Sequence, residues 1–169
     1  MHERDLDYKV AIITVSTSRF NRYGALRGVA NIPEDDESGV QIFNAFRDKV
    51  VDYLLVSDDI MQIRSAVFNV LKIADVCIIT GGTGLYPRDL TIEALENLFD
   101  KKIEGFGEIF RMQSFKEVGY SAILSRATAG IINGKVVFCL PGSKKAVLLG
   151  LEIIKASLKH ILSHAKGLA

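Results

Sequence analysis

Residues 76–95 read Val76-Cys-Ile-Ile-Thr80-Gly-Gly-Thr-Gly84-Leu-Tyr-Pro-Arg88-Asp89-Leu-Thr-Ile-Glu-Ala-Leu95. The apolar run Val76–Ile79 has the length of a buried strand. It ends at Thr80-Gly81-Gly82-Thr83-Gly84, turns near Pro87 and resumes as a helical pattern from Thr91. Strand, glycine-rich loop and helix in that order form the repeating unit of an α/β fold. Three glycines in four positions let backbone N–H groups approach an anion with no Cβ in the way. The threonines add hydroxyls, Arg88 a guanidinium fork and Asp89 a carboxylate. This equipment suits a phosphorylated ligand and a bound Mg²⁺. The loop is neither a P-loop, since no Gly-Lys-Ser/Thr follows, nor a G-x-G-x-x-G dinucleotide fingerprint. The glycines alone fit a ligand-free tight turn equally well, and Arg88 beside Asp89 also reads as a solvated pair.

On the N-terminal side, Val10–Val15 reads as a buried strand, with Ser16-Thr-Ser-Arg19 as the polar loop at its end. Residues 20–38 carry Gly24, Gly28, Pro33 and the acidic run Glu34-Asp35-Asp36-Glu37, and read as a long mobile loop, a candidate lid. The acidic run fits a solvated loop better than a cation site. Gly39–Lys49 is predicted to be helical, with Val40, Phe43 and Phe46 on one face. Val51–Val56 is a second strand ending at Ser57-Asp58-Asp59. Ile60, Ile63, Val67, Val70, Leu71 and Ala74 then trace one face of a helix that Asp59 would cap.

On the C-terminal side, Ile92, Leu95, Leu98 and Phe99 mark a helix, and another is expected near 105–118. Asn133-Gly134, flanked by Ala129–Ile132 and Lys135–Leu140, predicts a β-hairpin. Leu140-Pro-Gly-Ser143 opens a long last helix that is apolar nearly all round at Val147–Ile154, as expected of burial within the fold or against another subunit. The whole predicts an α/β fold on a mixed, mostly parallel sheet. Ligands of such sheets bind beyond the C-terminal strand ends, where Ser16–Arg19, Ser57–Asp59 and Thr80–Gly84 converge.

At 169 residues the chain is most simply one domain, 1–169, with 1–7 a flexible N-terminus. Its 21 Lys plus Arg balance 20 Asp plus Glu, which argues against nucleic acid as the main partner. Met-His-Glu-Arg-Asp lacks the apolar segment of a signal peptide, and no apolar run reaches the roughly 18 residues of a membrane span. A cytoplasmic location follows as the expectation. Cys77 and Cys139 lie in apolar strands and read as buried free thiols. His160 and His164 have a metal-compatible spacing, but neither H-E-x-x-H nor a third ligand supports zinc. Lys144 and Lys145 open a helix, where positive charge is unfavourable unless an anion docks there; simple surface charge is the alternative.

Taken together the motifs resemble the MoaB/Mog family of molybdenum-cofactor biosynthesis, whose molybdopterin-binding fold also occurs in gephyrin-type proteins. The resemblance runs from Val10 to the last helix. It rests on Thr14-Val-Ser-x-Ser-Arg19, Asp36-x-Ser-Gly39, Thr80-Gly-Gly-Thr-Gly84, Pro87-Arg-Asp-x-Thr91, Gly105-Phe-x-Glu108, Arg111-x-x-Ser114, Leu124-Ser-Arg126 and Leu140-Pro-Gly-Ser143. It implies a three-layer, Rossmann-like sandwich in a homotrimer, or in trimers paired as a hexamer. It also implies Mg²⁺-dependent adenylylation of molybdopterin by ATP with release of pyrophosphate. The family's two essential acids fall on Asp58 and Asp89, the catalytic and metal-holding pair. Nucleotide and phosphate contacts fall on Ser16, Thr80, Gly81, Gly82, Thr83, Gly84, Pro141, Gly142 and Ser143. Pterin and phosphate contacts fall on Arg88, Glu108, Ser114, Ser125 and Arg126. Glu104 and Lys144 stand where the family often has proline, and the 20–35 loop is longer than its usual connection. Some members bind the pterin without transferring AMP, so a non-catalytic binding protein for molybdopterin or its precursor is the alternative.

The residues are consistent with this chemistry independently of the resemblance. Joining two phosphates gathers negative charge, which Mg²⁺ neutralises best, holding one or two carboxylates and otherwise phosphates and waters. Asp58 and Asp89 each lie just past a strand end. Their alternatives are a helix cap for Asp58 and a turn or a salt bridge to Arg88 for Asp89.

Overall fold

The computed structural model describes residues 6–168. In chain order the strands are β1 (Val10–Val15), β2 (Leu26–Arg27), β3 (Val50–Val56), β4 (Val76–Thr80), β5 (Lys101–Lys102), β6 (Thr128–Ile132) and β7 (Lys135–Leu140). The α-helices are α1 (Thr17–Tyr23), α2 (Glu37–Phe46), α3 (Ile60–Leu71), α4 (Thr91–Leu95), α5 (Glu104–Val118) and α6 (Lys144–Ala165). The strands form one sheet in the order β2-β3-β1-β4-β7-β6-β5. The central pairs are parallel, and β2, β6 and β5 add antiparallel flanks.

Both faces of the central strands are covered, which is why they read as mostly apolar runs rather than alternating ones. Val10, Ile12, Tyr53, Leu55, Ile78 and Phe138 pack on one side under α2, α5 and α6. Ala11, Ile13, Val15, Cys77, Ile79 and Cys139 pack on the other under α3 and α4. The result is the expected three-layer mixed α/β sandwich. The two thiols are buried and free. Asn133 and Gly134 take positive φ (50° and 74°), as a two-residue hairpin turn between β6 and β7 requires.

The segment read as a mobile loop or lid is structured instead. Ser16 caps α1 by accepting from Arg19 N, Leu26 and Arg27 pair with Leu55 and Leu54, and Val29–Asn31 form a 3₁₀ turn. Arg22 and the Tyr23 hydroxyl both bond Asp35, at 2.9 and 3.0 Å. The Arg27 guanidinium grips buried Asp52 through Nε and Nη2. The sequence hides this order because α1 buries none of its residues, so no apolar periodicity marks it.

The acidic run is solvated only in part, at Glu34, Asp35 and Glu37. Asp36 is 1% exposed and accepts from the Thr14 and Tyr53 hydroxyls, each at 2.7 Å, and from Gly39 N at 3.0 Å. It is the N-cap of α2, which therefore begins two residues before the expected start and gives way to a 3₁₀ turn at Arg47–Lys49. Leu6 packs into the core and Asp7 pairs with Lys49; residues 1–5 of the expected flexible N-terminus lie outside the described residues. In α6, Val147, Leu151 and Ile154 point into the core, while Leu148 stays on the surface.

Candidate active site

Parallel register brings four strand ends level. Thr14 pairs with Leu55 and Thr80, and Thr80 pairs with Leu140. The loops that follow β1, β3, β4 and β7 therefore open onto one side of the sheet, around a cavity of 580 Å³. Of the residues expected in the site, Ser16, Asp58, Gly81, Gly82, Thr83, Gly84, Arg88, Asp89, Ser114, Ser125, Pro141 and Gly142 line it. Four others do not. Thr80 is buried and donates to the Pro141 carbonyl (3.0 Å), and Ser143 caps α6 by accepting from Ala146 N. Glu108 and Arg126 line a neighbouring cavity of 470 Å³, with Ser125 common to both.

The two aspartates are held alike. Thr17 Oγ1 donates to Asp58 Oδ2 at 2.6 Å and accepts from Asp58 N at 3.1 Å. Asp89 Oδ2 accepts from Tyr86 N at 3.1 Å, inside the turn closed by Asp89 N and the Tyr86 carbonyl. Each carboxylate thus has Oδ2 tied to the protein and Oδ1 without a protein donor among the described residues. The helix-cap alternative for Asp58 falls to its neighbour, since Asp59 accepts from Gln62 N at 2.8 Å and caps α3. The turn alternative for Asp89 holds for one oxygen only. Arg88 makes no bridge to it and lies over the Tyr86 ring, 6.0 Å from its centroid.

The glycine loop has little room for side chains. Gly81 sits at φ 97°, and a Cβ there would fall on the Val15 carbonyl. A Cβ on Gly84 would stand 2.6 Å from Asp89 Oδ2. The facing Leu140–Gly142 segment is tied from behind. Its three successive carbonyls accept from Gly81 N, the Thr80 hydroxyl and the Ser38 hydroxyl, the last at 2.9 Å. Ser38, four residues beyond the acidic run's start, thus links the first turn of α2 to the cavity wall. Sequence reasoning missed Thr17, which occupies the open position of the first motif, and Phe110, which lines the cavity from α5. The polar character of the Ser16–Arg19 loop was the signal available for Thr17; Phe110 had none.

Two hard carboxylates with a free oxygen each, lining one open cavity, fit an ion that takes one or two carboxylates and completes its shell with phosphate and water. His160 and His164 stack edge to face on α6, with centroids 4.6 Å apart. Lys145 pairs with Glu117 at 3.1 Å.

Comparison with known proteins finds relatives over nearly the whole chain. A family model described as a probable molybdopterin binding domain matches residues 11–160. A probable molybdopterin adenylyltransferase of Methanocaldococcus jannaschii is 41% identical over 98% of this chain and 99% of its own. The molybdopterin adenylyltransferase of Pyrococcus furiosus is 45% identical over 94% and 92%. The crystal structure of the tungsten cofactor synthesizing protein MoaB from Pyrococcus furiosus superposes with a TM-score of 0.82, at 45% identity over 94% of this chain and 97% of that one.

Proposed function

We propose, from the premise that this chain belongs to the MoaB/Mog family of molybdopterin-binding proteins, that it adenylylates molybdopterin in molybdenum-cofactor biosynthesis. The single observation that carries the reading is that Asp58, just past β3, and Asp89, in the turn before α4, line one cavity, each with one oxygen tied and one free. ATP and molybdopterin are the substrates. A terminal phosphate oxygen of molybdopterin attacks the α-phosphorus of ATP. The bond from that phosphorus to the β-phosphate bridging oxygen breaks, and pyrophosphate leaves with the electron pair. The attacking phosphate is ionised at neutral pH, so no general base is required.

The work of the protein is positioning and charge stabilisation, as in phosphoryl transfer generally. Asp58 and Asp89 would hold Mg²⁺, which when bound neutralises phosphate charge. The glycine loop, with Ser16 and the Pro141–Gly142 wall, cradles the phosphates through backbone N–H groups and hydroxyls. Arg88, Ser114 and Ser125 face the same cavity for the pterin and its phosphate.

The assembly reading is a trimer. Met112, Phe115, Tyr120, Ile123 and Leu124 are exposed on α5 and the turn after it, with Leu148 exposed on α6, apolar surface that a subunit contact would cover. No helix among the described residues is long and apolar enough to cross a membrane, and the buried free thiols suit a reducing, cytoplasmic setting.

The test is incubation of the purified protein with ATP, Mg²⁺ and molybdopterin, with adenylylated product and pyrophosphate followed by chromatography. Product is expected in proportion to enzyme. No product, under conditions where an active relative works, refutes the proposal. Light scattering on a gel-filtration column tests the assembly; a particle of 18.6 kDa at micromolar concentration refutes it.

A further inference from the structure

We propose that Arg126 is a positioning residue that aims the glycine loop from outside the cavity, not a ligand contact. This rests on the reading of that loop as the nucleotide-phosphate cradle. The four successive carbonyls of the loop are all engaged by the protein. Thr91 donates to the first two, from Oγ1 to Gly81 O at 2.8 Å and from N to Gly82 O at 2.9 Å. Arg126 takes the next two, from Nε to Thr83 O at 3.1 Å and from Nη2 to Gly84 O at 2.6 Å. The described residues contain no cis peptide. In a trans peptide the carbonyl and the following N–H point opposite ways. Holding the Thr83 and Gly84 carbonyls therefore turns the N–H groups of Gly84 and Leu85 away from Arg126, which lines the neighbouring cavity, and toward the phosphate side. The N–H groups of Gly82, Thr83 and Gly84 have no protein acceptor among the described residues, so they are available to an anion.

Arg126 has little left to offer a substrate. Its Nη1 and Nη2 also meet the Glu93 carboxylate, which engages four of its five N–H groups in all and cancels its charge. The hydrogen bond from Arg126 in turn holds the Glu93 carboxyl below its ordinary range. Glu93 lies on α4, two residues beyond Thr91. One short helix thus carries both the residue that holds the first half of the loop and the carboxylate that fixes the guanidinium holding the second half.

The experiment measures binding of ATP with Mg²⁺, and separately of molybdopterin, by calorimetry on the full-length wild type, Arg126→Lys, Glu93→Gln and the double variant. Lysine keeps the charge but replaces the planar fork with a point donor. Arg126→Lys is expected to weaken ATP about tenfold and leave molybdopterin unchanged within about twofold. Glu93→Gln should weaken ATP in the same direction by less, and the double variant should be no worse than Arg126→Lys alone, as for residues acting as one unit. The opposite split, molybdopterin weakened and ATP spared, overturns the proposal, as does an unchanged ATP affinity. If Arg126→Lys fails to fold, Glu93→Gln decides alone: weaker ATP binding supports the proposal and wild-type binding refutes it. A wild type that binds ATP with Mg²⁺ yet forms no adenylylated product refutes the proposed reaction and leaves this inference standing. A wild type that does not bind ATP overturns it.

Discussion

Replacing Thr17 by valine should separate the aim of Asp58 from its presence. The change is nearly isosteric but removes the hydroxyl that donates to Asp58 Oδ2 at 2.6 Å and accepts from Asp58 N at 3.1 Å. Thr17 N remains 3.3 Å from Oδ2, the weaker of its two donations. A hydrogen bond to a charged group contributes about 1.5–3 kcal/mol. Both residues are half-buried, so water can partly replace the lost hydroxyl and the lower end, about 1.5 kcal/mol, is appropriate. If Asp58 must be re-aimed at the transition state, that energy corresponds to about a tenfold loss in kcat/KM. Thr17→Ser keeps the hydroxyl and should stay within about twofold of wild type. The assay is initial rate of adenylylated molybdopterin formation, with urea unfolding of each variant to confirm the fold. Thr17→Val at the wild-type rate, or Thr17→Ser as impaired as Thr17→Val, would refute the argument that this hydroxyl orients the carboxylate.

Asp58→Asn and Asp89→Asn should each lower kcat/KM by on the order of a hundredfold, the scale of removing one charge-stabilising group, with unchanged circular dichroism and melting. Tyr53→Phe removes a donor from buried Asp36 and should cost about 1.5–3 kcal/mol in urea unfolding; an unchanged midpoint would show that the Thr14 hydroxyl and Gly39 N satisfy the carboxylate alone. Burial raises the Cys77 thiol, with the neighbouring Cys139 adding to the shift, and pushes Cys139 up to about 12. A thiol reagent at pH 8 should therefore leave both unmodified in the native protein and label both in denaturant. Burial works to raise the Asp75 carboxyl, but hydrogen bonds from the Lys166 ammonium and Lys9 N outweigh it and hold it below the ordinary 3.8. Its contribution to stability is complete above that value and is lost as pH falls through the lowered one. Asp75→Asn should accordingly be less stable than wild type at pH 7, with the gap closing in acid unfolding below 3.8.

Several elements were legible from short-range pattern alone. Val10–Val15, Val76–Thr80 and Lys135–Leu140 announce strands covered on both faces by being mostly apolar rather than alternating. Asp59 announces the start of α3, and Asn133-Gly134 the hairpin, because a cap and a tight turn depend on a few adjacent residues. Elements too short to carry a period escaped: β2 and β5 have two residues each. The cavity was legible as well, since residues just past parallel strand ends must gather on one side of the sheet.

What the sequence determined by itself is therefore the layering of the molecule and the side on which its polar loops meet. Both follow from which residues must leave water, and burial of a face is written in local periodicity. Which polar groups touch was decided only by the tertiary structure. Nothing adjacent to Asp36 in the acidic run marks it as buried; two hydroxyls from β1 and β3, at Thr14 and Tyr53, make it so. What holds Asp58, beside the cap residue Asp59, is set by Thr17 from just past the end of β1. Arg126 has the composition of a phosphate ligand until the glycine loop and Glu93 consume its donors from more than thirty residues away. Hydrogen bonds are short-ranged and directional, so a polar side chain's partners depend on where sheet register and loop crossing bring distant segments, and no local pattern records that.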